Sequence, residues 1–593
     1  MMSEQKDNKK KISLSKPLII QSVFFAVLIL ALAILVFRSS AAVQKVSIPA
    51  ESSTASLEEI KPPEELEPVA TPEPTPEPTP EGPLFKPYAT ETTDPARLLK
   101  LTGISVDGVE VAVGEYAEPE PIDFPLPEEY SSLKGITTFR GNNFRDGGNY
   151  GTAEINEKKL NLAWTLNTTS LVSPDGNVWS GIGWTGQPLI VEWPKETRAL
   201  MNMEGWAKEK DVLIEVISPT MGGKIQFCEL ESGKKTRADI DVGFPFKGTG
   251  TLDPRGYPLL YIGSGYHSSK GTSRVFIISL VDGSILHSFG TDDPFAIRPW
   301  PMFDSAPLVD SKTDRLIYPG ENGLIYIIKL NAQFDKETGK VSVAPGRTVK
   351  WKYNTHRMSL ASFWLGFEAS PVIWEGQLII SDNGGMLICL DLNTLQVNWV
   401  QDILDDSNCT PVLEIEDGKP YLYISTSFHG GWRAPMNSKC DVPLFKIDAT
   451  TGEVVWRKDY ACYTESAVSG GVQGSVASGR HNVSDLVFFP VARTPKAGSG
   501  VLAALDKKTG ELVWEFETKA YSWSSPTMIY DQNGDGYIIY PTFFGMTYLL
   551  DARTGSVLDK YDINGHTEAS PAVYGNYAII GHRNEKTFCF RIS

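Results

Sequence analysis

The sequence is poor in the residues that enzymes use for metal, haem or nucleophilic chemistry. It has 6 cysteines and 7 histidines in 593 residues, and no two histidines stand at the spacing of metal ligands. It contains no C-x-x-C-H, H-E-x-x-H or G-x-S-x-G motif. A basic stripe, which nucleic-acid binding would require, is also absent. These absences predict a protein that is not an enzyme, has no metal or other cofactor and binds no nucleic acid.

One long hydrophobic run stands near the start of the chain. Residues 17–37, PLIIQSVFFAVLILALAILVF, carry no charge over 21 residues, which is enough for a helix to span a hydrocarbon core of about 30 Å. Lysines precede this run and only Arg38 follows it closely, so the positive-inside rule places residues 1–16 in the cytoplasm. The alternative is a cleaved signal peptide, whose apolar region is usually about 7 to 15 residues long. We expect an uncleaved single-pass anchor in the cell membrane, with the rest of the chain extracytoplasmic.

The next segment is acidic and rich in proline. In EELEPVATPEPTPEPTPEGP (64–83) proline recurs at every second position from 72 to 80, which fixes φ and removes backbone donors. This composition predicts a disordered stalk over residues 38–97. A lead-in segment, 98–158, follows, and within it ISVDGVEVAVGEY (104–116) is expected to form a small hairpin.

Residues 159–593 contain an internal repeat with two marks. One is an Asp-x-x-Thr-Gly turn followed by tryptophan, as in DATTGEVVW (448–456) and DKKTGELVW (506–514). The other is a small residue before a proline at a strand start, as in SAPLV (305–309) and ASPAV (569–573). The aspartate can accept backbone N–H bonds in the turn, and the glycine tolerates a positive φ. The pattern predicts that each unit forms four short strands, which can bury their faces only against neighbouring units.

The two ends of the repeat indicate how the units close into a ring. The last unit ends after its third strand, and LNLAWTLNT (160–168) has the pattern of a fourth strand with Trp164 in the tryptophan position. We therefore predict an all-β fold, an eight-bladed β-propeller in which the N-terminal strand completes the last blade. Seven blades is the alternative, because the first two units are degenerate.

The repeat S-P-x-V, Y-I-I-x, L-x-x-L-D-x-x-T-G-x-x-x-W resembles that of the quinoprotein-type (PQQ-like) β-propeller family, and GITTFRGNNFRDGG (135–148) resembles the segment that often precedes it. The resemblance implies two kinds of relative: quinoprotein dehydrogenases, and the propeller lipoprotein of the outer-membrane β-barrel assembly machinery. The dehydrogenases place an adjacent cysteine pair against the quinone, and this chain has no such pair. We therefore predict a non-catalytic binding or assembly scaffold at the cell envelope; the alternative is a membrane-bound PQQ-dependent oxidoreductase.

Strand alternation puts the loops from the fourth to the first strand, and from the second to the third, on one face of the ring. Nearly all insertions fall in these loops, and their aromatic and arginine residues are typical of recognition surfaces. We expect this face to bind an envelope protein, a peptide or a cell-wall glycan; the alternative is that the aromatic side chains only plug the channel. The predicted partner face consists of Trp184, Arg298, Trp300, Phe303, Asp304, Arg357, Trp364, Phe367, Glu368, His429, Trp432, Arg433, Trp523 and Glu568.

Asp304, Glu368 and Glu568 each stand three residues before a strand proline or its equivalent, so they should share one level of the ring. Three carboxylates at one level would favour a cation or an amine. Alternatively, they accept hydrogen bonds from loop amides.

Two other patterns have a chemical and a structural interpretation. Asp531, Asn533 and Asp535 alternate as in calcium loops, but the carboxylate expected at position 12 is missing, so a hairpin turn is favoured. Cys440 and Cys462 are predicted to lie in two loops of the same face, where a disulfide is possible outside the membrane.

Overall fold

Eight sheets, each built on four antiparallel strands, form the blades of a β-propeller in this computed structural model. The structure describes residues 85–357, 365–429, 432–435, 437–465 and 469–593. The predicted tail (1–16) and membrane anchor (17–37) lie outside the described residues. Among the residues described, no helix is long and apolar enough to cross a membrane.

In blades 1 to 7 the strands follow one another in the chain, from the inner strand A to the outer strand D, whereas strand D of blade 8 comes from the N-terminal part of the chain. Blade 1 comprises Leu189–Glu192, Ile214–Pro219, Lys224–Glu229 and Ile240–Asp241, and blade 2 comprises Thr251–Leu252, Leu259–Gly263, Val275–Ser279 and Ile285–Phe289. Blade 3 comprises Leu308–Asp310, Arg315–Pro319, Leu324–Lys329 and Thr348–Thr355, and blade 4 comprises Val372–Trp374, Gln377–Ser381, Met386–Asp391 and Val397–Asp402. Blade 5 comprises Val412–Glu416, Lys419–Ser425, Lys439–Asp448 and Val454–Tyr463, and blade 6 comprises Ala477–Ser478, Leu486–Ala492, Gly500–Asp506 and Leu512–Thr518. Blade 7 comprises Thr527–Tyr530, Gly536–Pro541, Met546–Asp551 and Val557–Asp562, and blade 8 comprises Ala572–Tyr574, Tyr577–His582, Lys586–Ile592 and Leu160–Asn167.

Short elements decorate the blades. They are the α-helices Lys195–Leu200 and Gly205–Glu209, the 3₁₀ turns Pro95–Arg97, Pro127–Glu129 and His481–Val483, and the paired segments Ser170–Val172 with Val178–Ser180, Gln333–Phe334 with Val341–Ser342, and Ser427–Phe428 with Gly470–Gly471.

The ring closes as the sequence predicts. Strand Leu160–Asn167 pairs with Lys586–Ile592 as the outer strand of blade 8, and Trp164 stands opposite Cys589. The N-terminal strand therefore completes the last blade. The prediction of eight blades is confirmed, and seven is excluded.

The repeated Asp-x-x-Thr-Gly…Trp phrase joins several pairs of neighbouring blades. The indole N–H of Trp456 in blade 5 donates to the carbonyl oxygen of Lys507 in blade 6 over 2.9 Å. Gly510 has a φ of 72°, and a Cβ at this position would lie 2.7 Å from the Trp456 ring. The glycine therefore both makes the turn and leaves room for the neighbouring ring. The same indole-to-carbonyl bond recurs from Trp164 to Leu230 (2.8 Å), Trp399 to Ala449 (3.0 Å) and Trp514 to Ala552 (3.2 Å).

The small residue before each strand proline has a structural role of its own. The backbone N–H of Ser370 donates to Thr410 Oγ1 at 2.9 Å, that of Thr410 to Ser475 Oγ at 3.2 Å, and that of Ser475 to Ser525 Oγ at 2.9 Å. The series continues from Ser525 to Ser570 Oγ at 3.1 Å. A hydroxyl on each of blades 5 to 8 thus satisfies a buried backbone donor of the blade before it, which links these inner strands around the channel.

The described part of the predicted stalk and the start of the lead-in pack on the propeller. Phe85 is buried and stacks on Trp374 with ring centroids 4.9 Å apart, so residues 85–97 do not belong to a disordered stalk. The predicted hairpin is formed by Leu99–Val106 and Val109–Val111, and it pairs with strand D of blade 3.

The segment GITTFRGNNFRDGG fills the channel between the inner strands. Arg145 is completely buried and donates to the carbonyl oxygens of Pro371 and Ala306, both at 2.9 Å. Arg140 donates to those of Val476 and Pro526, both at 3.0 Å. The flanking strands Lys134–Ile136 and Asn149–Tyr150 pair with the inner strands of blades 1 and 8. Because free backbone acceptors of several blades are satisfied by two arginines, this segment acts as a core plug.

Candidate functional site

The loops from strand D to strand A, and from B to C, meet at one end of the channel, which we call the funnel face. The backbone N–H of Trp184, in the loop entering blade 1, donates to Glu568 Oε2 at 3.0 Å. Glu568 lies in the loop entering blade 8, and Arg583 of the B-to-C loop of blade 8 donates to the same oxygen at 3.0 Å. These contacts place both kinds of loop on one face, as the sequence predicts.

In the predicted ring of acids, both carboxylate oxygens of Glu568 have hydrogen-bond partners. Trp184 and Arg583 donate to Oε2, and His566 Nε2 lies 2.7 Å from Oε1. Burial alone would raise the pKa of Glu568, but the hydrogen bond to His566 and the charges of His566 and Arg583 lower it to about 2. This carboxylate is therefore ionised and binds neighbouring loops together.

Asp304 and Glu321 lie in a different environment. Lys247 Nζ is 3.2 Å from Asp304 Oδ2 and 4.8 Å from the centre of a Trp184 ring. Glu321 Oε2 accepts the indole N–H of Trp300 at 2.8 Å. The other oxygens, Asp304 Oδ1 and Glu321 Oε1, are buried without a hydrogen-bond partner in the described structure. Burial, with the nearby acids, raises the pKa of Glu321 well above its usual value.

Glu368 and Asp406 continue this acidic region toward blades 4 and 5. Burial, then the charges of Asp406 and Asp304, raise the pKa of Glu368 to about 7. Burial also raises the pKa of Asp406 to about 7, although Asn383 Nδ2 donates to its Oδ1 at 2.8 Å. Two carboxyl groups of this face therefore titrate near neutral pH, unlike Glu568.

The B-to-C loop of blade 5 contributes an aromatic and charged rim. His429 and Trp432 stack with ring centroids 5.0 Å apart. Arg433 Nε donates to Asp405 Oδ2 at 2.8 Å. On the neighbouring blade, Arg357 donates to the carbonyl oxygen of Gly384 at 2.9 Å and pairs with Asp402. These arginines are held in place by backbone and carboxylate acceptors.

A stack of aromatic side chains stands on the opposite side of the funnel face. The Phe543 ring lies 4.0 Å from His566, 4.7 Å from Tyr521 and 5.3 Å from Trp523, centroid to centroid. Phe544 packs edge-on against Phe543 at 5.3 Å and is 58% exposed. Phe543 and Phe544 are not among the residues predicted from the sequence, although the FFG motif of this B-to-C loop is a signal for them. An exposed ring on a fixed aromatic base is typical of a contact residue.

Two predicted members of the partner face are core residues. Phe303 is completely buried; its ring fills the space that Gly290 and Gly320 leave free, and its Cβ packs against Gly263. Phe367 is completely buried against Tyr353 at a centroid distance of 5.4 Å. The prediction that these two rings surround the mouth is wrong, because they point between blades. Trp364 lies outside the described residues.

The possible calcium loop is a turn in the structure. Asp531 Oδ1 accepts the backbone N–H groups of Asn533 and Asp535, both at 2.9 Å, between strands A and B of blade 7. Within the described residues, no group of three or more histidine, cysteine, aspartate or glutamate side chains is arranged to hold a metal ion.

Cys440 and Cys462 lie in strands, not in the loops that the sequence predicts. They stand directly opposite each other in strands C and D of blade 5. Both are free thiols; Cys462 is buried and Cys440 is half-buried. The two cysteines are therefore close to each other, as predicted, because the register of the two strands places them side by side.

Comparisons with known proteins agree with the repeat. A family model described as outer membrane protein assembly factor BamB matches residues 443–593. BamB of Legionella pneumophila (strain Paris) is 21% identical over 217 residues, which cover 36% of this chain and 48% of that protein. The β-alanine-activating enzyme of Mus musculus is 29% identical over 84 residues, 14% of this chain and 8% of the enzyme. The chain thus spans about half the length of the first relative and less than a tenth of the second. The resemblance to the PQQ-like propeller family is confirmed.

Two solved structures are similar to parts of this chain. BamB from Moraxella catarrhalis has 15% sequence identity and a TM-score of 0.39, and covers 73% of this chain and 98% of its own. A quinohemoprotein alcohol dehydrogenase from Pseudomonas putida HK5 has 13% identity and a TM-score of 0.49, with 77% and 80% covered.

Proposed function

We propose that this chain is a non-catalytic docking module that binds a protein partner of the cell envelope through its funnel face. The observation that carries this proposal is Phe544, which is 58% exposed on a base of packed aromatic rings. A large ring that is already held in place loses little side-chain entropy on binding and can bury roughly 150–250 Å². Such a residue is well suited to be an anchor of an interface.

The other side of the face supports the same function. Trp300 is 37% exposed, and the guanidinium of Arg298 lies 5.4 Å from its ring centre. Tryptophan and arginine are the residues most enriched among those that dominate binding energy. Two separated aromatic anchors would let one partner span the mouth of the funnel.

The residues present do not fit the quinone cofactor of the dehydrogenases. The sulfur platform of an adjacent cysteine pair is missing, and Cys409, at the start of an inner strand, is completely buried. The channel below the funnel is filled by the segment that carries Arg140 and Arg145. We therefore derive no redox step for this chain.

The proposal places the propeller outside the membrane, with residues 17–37 as a single-pass anchor and the acidic, proline-rich segment as a spacer. The uncharged run of 21 residues and the lysines before it support this orientation. The relatives named outer membrane protein assembly factor support an assembly role at the envelope.

Photo-crosslinking in cells tests the docking face. The full-length chain would carry p-benzoyl-phenylalanine at position 544 or, as a control, at position 513. Val513 is 48% exposed on the outer strand of blade 6, away from the funnel face. We expect a discrete adduct from position 544 only. The partner identified in it should bind the purified wild-type chain about tenfold more tightly than the Phe544→Ala variant, whereas Val513→Ala should bind as wild type. Equal adducts from both positions, or an unchanged affinity of Phe544→Ala, would contradict the proposal.

A second experiment tests the absence of redox activity. PQQ with calcium chloride would be titrated calorimetrically into the full-length chain, and dye reduction would be followed with alcohols and sugars. We expect neither binding heat nor turnover. Turnover would overturn the docking proposal in favour of the dehydrogenase alternative.

A further inference from the structure

Four carboxyl groups of blades 3, 4 and 5 form what we call the acidic basin: Asp304, Glu321, Glu368 and Asp406. Backbone hydrogen bonds join the loops that carry them, from Glu321 to Met302 at 3.1 Å, from Phe367 to Gly320 at 3.2 Å and from Asn383 to Gly366 at 2.9 Å. Asn383 in turn donates its side-chain N–H to Asp406 at 2.8 Å. Glu368 acts electrostatically on Glu321, and Asp304 and Asp406 act on Glu368. The four acids therefore form one cluster on the funnel face.

The acids of the basin outnumber the cations that act on them. Lys247 and Arg298 are the cations that lower the pKa values of Glu321 and Glu368. Lys247 contacts only one oxygen of Asp304. Glu368 is half-buried and has no hydrogen-bond or ion-pair partner among the described residues. Because several of these acids are partly protonated at neutral pH, they can ionise when a further cation enters, which gives the basin room for more positive charge.

Unpaired oxygen atoms provide a second, independent observation. Asp304 is 7% exposed and Glu321 is 2% exposed, yet Asp304 Oδ1 and Glu321 Oε1 have no hydrogen-bond partner in the described structure. Buried polar atoms in proteins are nearly always paired, so such atoms mark a place where a hydrogen-bond partner is missing. Both missing partners lie on the funnel face, beside carboxyl groups.

The walls of the basin favour an organic cation. Trp300 donates its indole N–H to Glu321, and a Trp184 ring already lies 4.8 Å from the ammonium of Lys247. Aromatic faces attract ammonium and guanidinium groups and cover the apolar stems that carry them. A lysine or arginine side chain offers both parts, and it brings several N–H donors for the unpaired carboxylate oxygens.

We propose that the acidic basin binds the ammonium or guanidinium group of a lysine or arginine side chain that the docking partner inserts into the funnel. This inference rests on the proposed docking function and identifies the chemistry of one contact. The entering cation supplies hydrogen-bond donors, and ionisation of the partly protonated acids balances its charge. The basin is thus a subsite for one charged residue beside the aromatic anchors.

Binding should release protons, because a nearby cation favours the ionised form of each acid. Glu368 and Asp406, with pKa values of about 7, are about half protonated at neutral pH. We expect about one proton to leave per cation bound at pH 7. The titratable and charged groups that face the basin are Lys247, Arg298, Asp382, Asp405, His429 and Arg433.

Isothermal titration with defined peptides tests this subsite. The probes are acetylated, amidated alanine pentapeptides with lysine, arginine or norleucine at the centre, titrated into the full-length chain at pH 7. Titrations in phosphate and in Tris buffer, which differ in ionisation enthalpy, give the number of protons released. We expect the lysine and arginine peptides to bind with proton release and the norleucine peptide not to bind. Glu368→Gln should weaken binding at least about tenfold and reduce the proton release.

Controls separate this inference from the docking proposal and from metal binding. Glu517→Gln makes the same chemical change on the exposed outer strand of blade 6 and should bind as wild type. Equal binding of lysine and norleucine peptides, or unchanged binding by Glu368→Gln, would overturn the subsite. Competition by calcium chloride at equal concentration would overturn it in favour of a metal site. Crosslinks from position 544 would persist if only the subsite were wrong, and would be lost if the docking proposal failed.

Discussion

Replacing Glu368 by glutamine should make the protein more stable at pH 8 and change it little at pH 5. Burial and two neighbouring acids raise the pKa of Glu368 from 4.5 to about 7 in the folded state. This rise corresponds to about 3 kcal/mol. Because the folded pKa is raised, the neutral carboxyl favours folding at low pH, and that stability is lost as the pH rises through about 7. Glutamine has the same shape and does not titrate, so the variant escapes the loss.

Urea unfolding at pH 5 and at pH 8 measures the effect. The free-energy difference between Glu368→Gln and wild type should grow by roughly 2 to 3 kcal/mol between the two pH values, seen as a higher urea midpoint at pH 8. Glu517→Gln should follow wild type at both, since Glu517 is exposed. A lower midpoint of Glu368→Gln at pH 8, or a pH dependence equal to that of wild type, would refute the reasoning. A gain in stability combined with a loss of peptide binding would show that Glu368 is kept for recognition.

Two further predictions concern the blades. Gly510→Ala should destabilise the protein by about 2 kcal/mol or more in thermal or urea unfolding, because its Cβ would meet the Trp456 ring at 2.7 Å in addition to the cost of a φ of 72°. Gly418→Ala is the matched control, with a φ of 75° and open space around the Cβ, and an equal loss there would contradict the role of the ring. Alkylation of the folded chain should modify Cys440 well before Cys462, since burial raises the pKa of Cys462 to about 12. Mass spectrometry of a tryptic digest gives the order of modification, and earlier modification of Cys462 would contradict the prediction.

The architecture was predictable because its signals are local and repeated. The Asp-x-x-Thr-Gly turn and the tryptophan after it recur in one register, so the ring closure through Trp164 could be inferred from a missing strand at the other end. The channel plug was not predictable in the same way. Arg140 and Arg145 bind carbonyl oxygens of blades hundreds of residues away, and a sequence shows no trace of such partners.

The site was predictable only in part, and the reason lies in which direction side chains point. Asp304, Glu368 and Glu568 follow the repeat register, so their common level could be expected. Phe303 is adjacent to Asp304 in the chain but turns into the core, where glycines of two blades leave space for it. Glu321 was missed because B-to-C loops have no fixed register relative to the strand prolines; its GENG turn was the available signal.

The acidic ring was interpreted either as a site for a cation or as a set of acceptors for loop amides, and each interpretation fits a different part of the ring. Glu568 accepts hydrogen bonds from Trp184, His566 and Arg583, and its pKa of about 2 is that of a structural carboxylate that binds loops. Glu368 occupies the equivalent repeat position, has no such donors among the described residues, and has a pKa of about 7. If the ring only closed the channel, burying Glu368 without hydrogen-bond donors would lower stability for no purpose, while Glu568 has its donors. The asymmetry therefore favours a recognition role for the Glu368 side, with the Glu568 side as its scaffold.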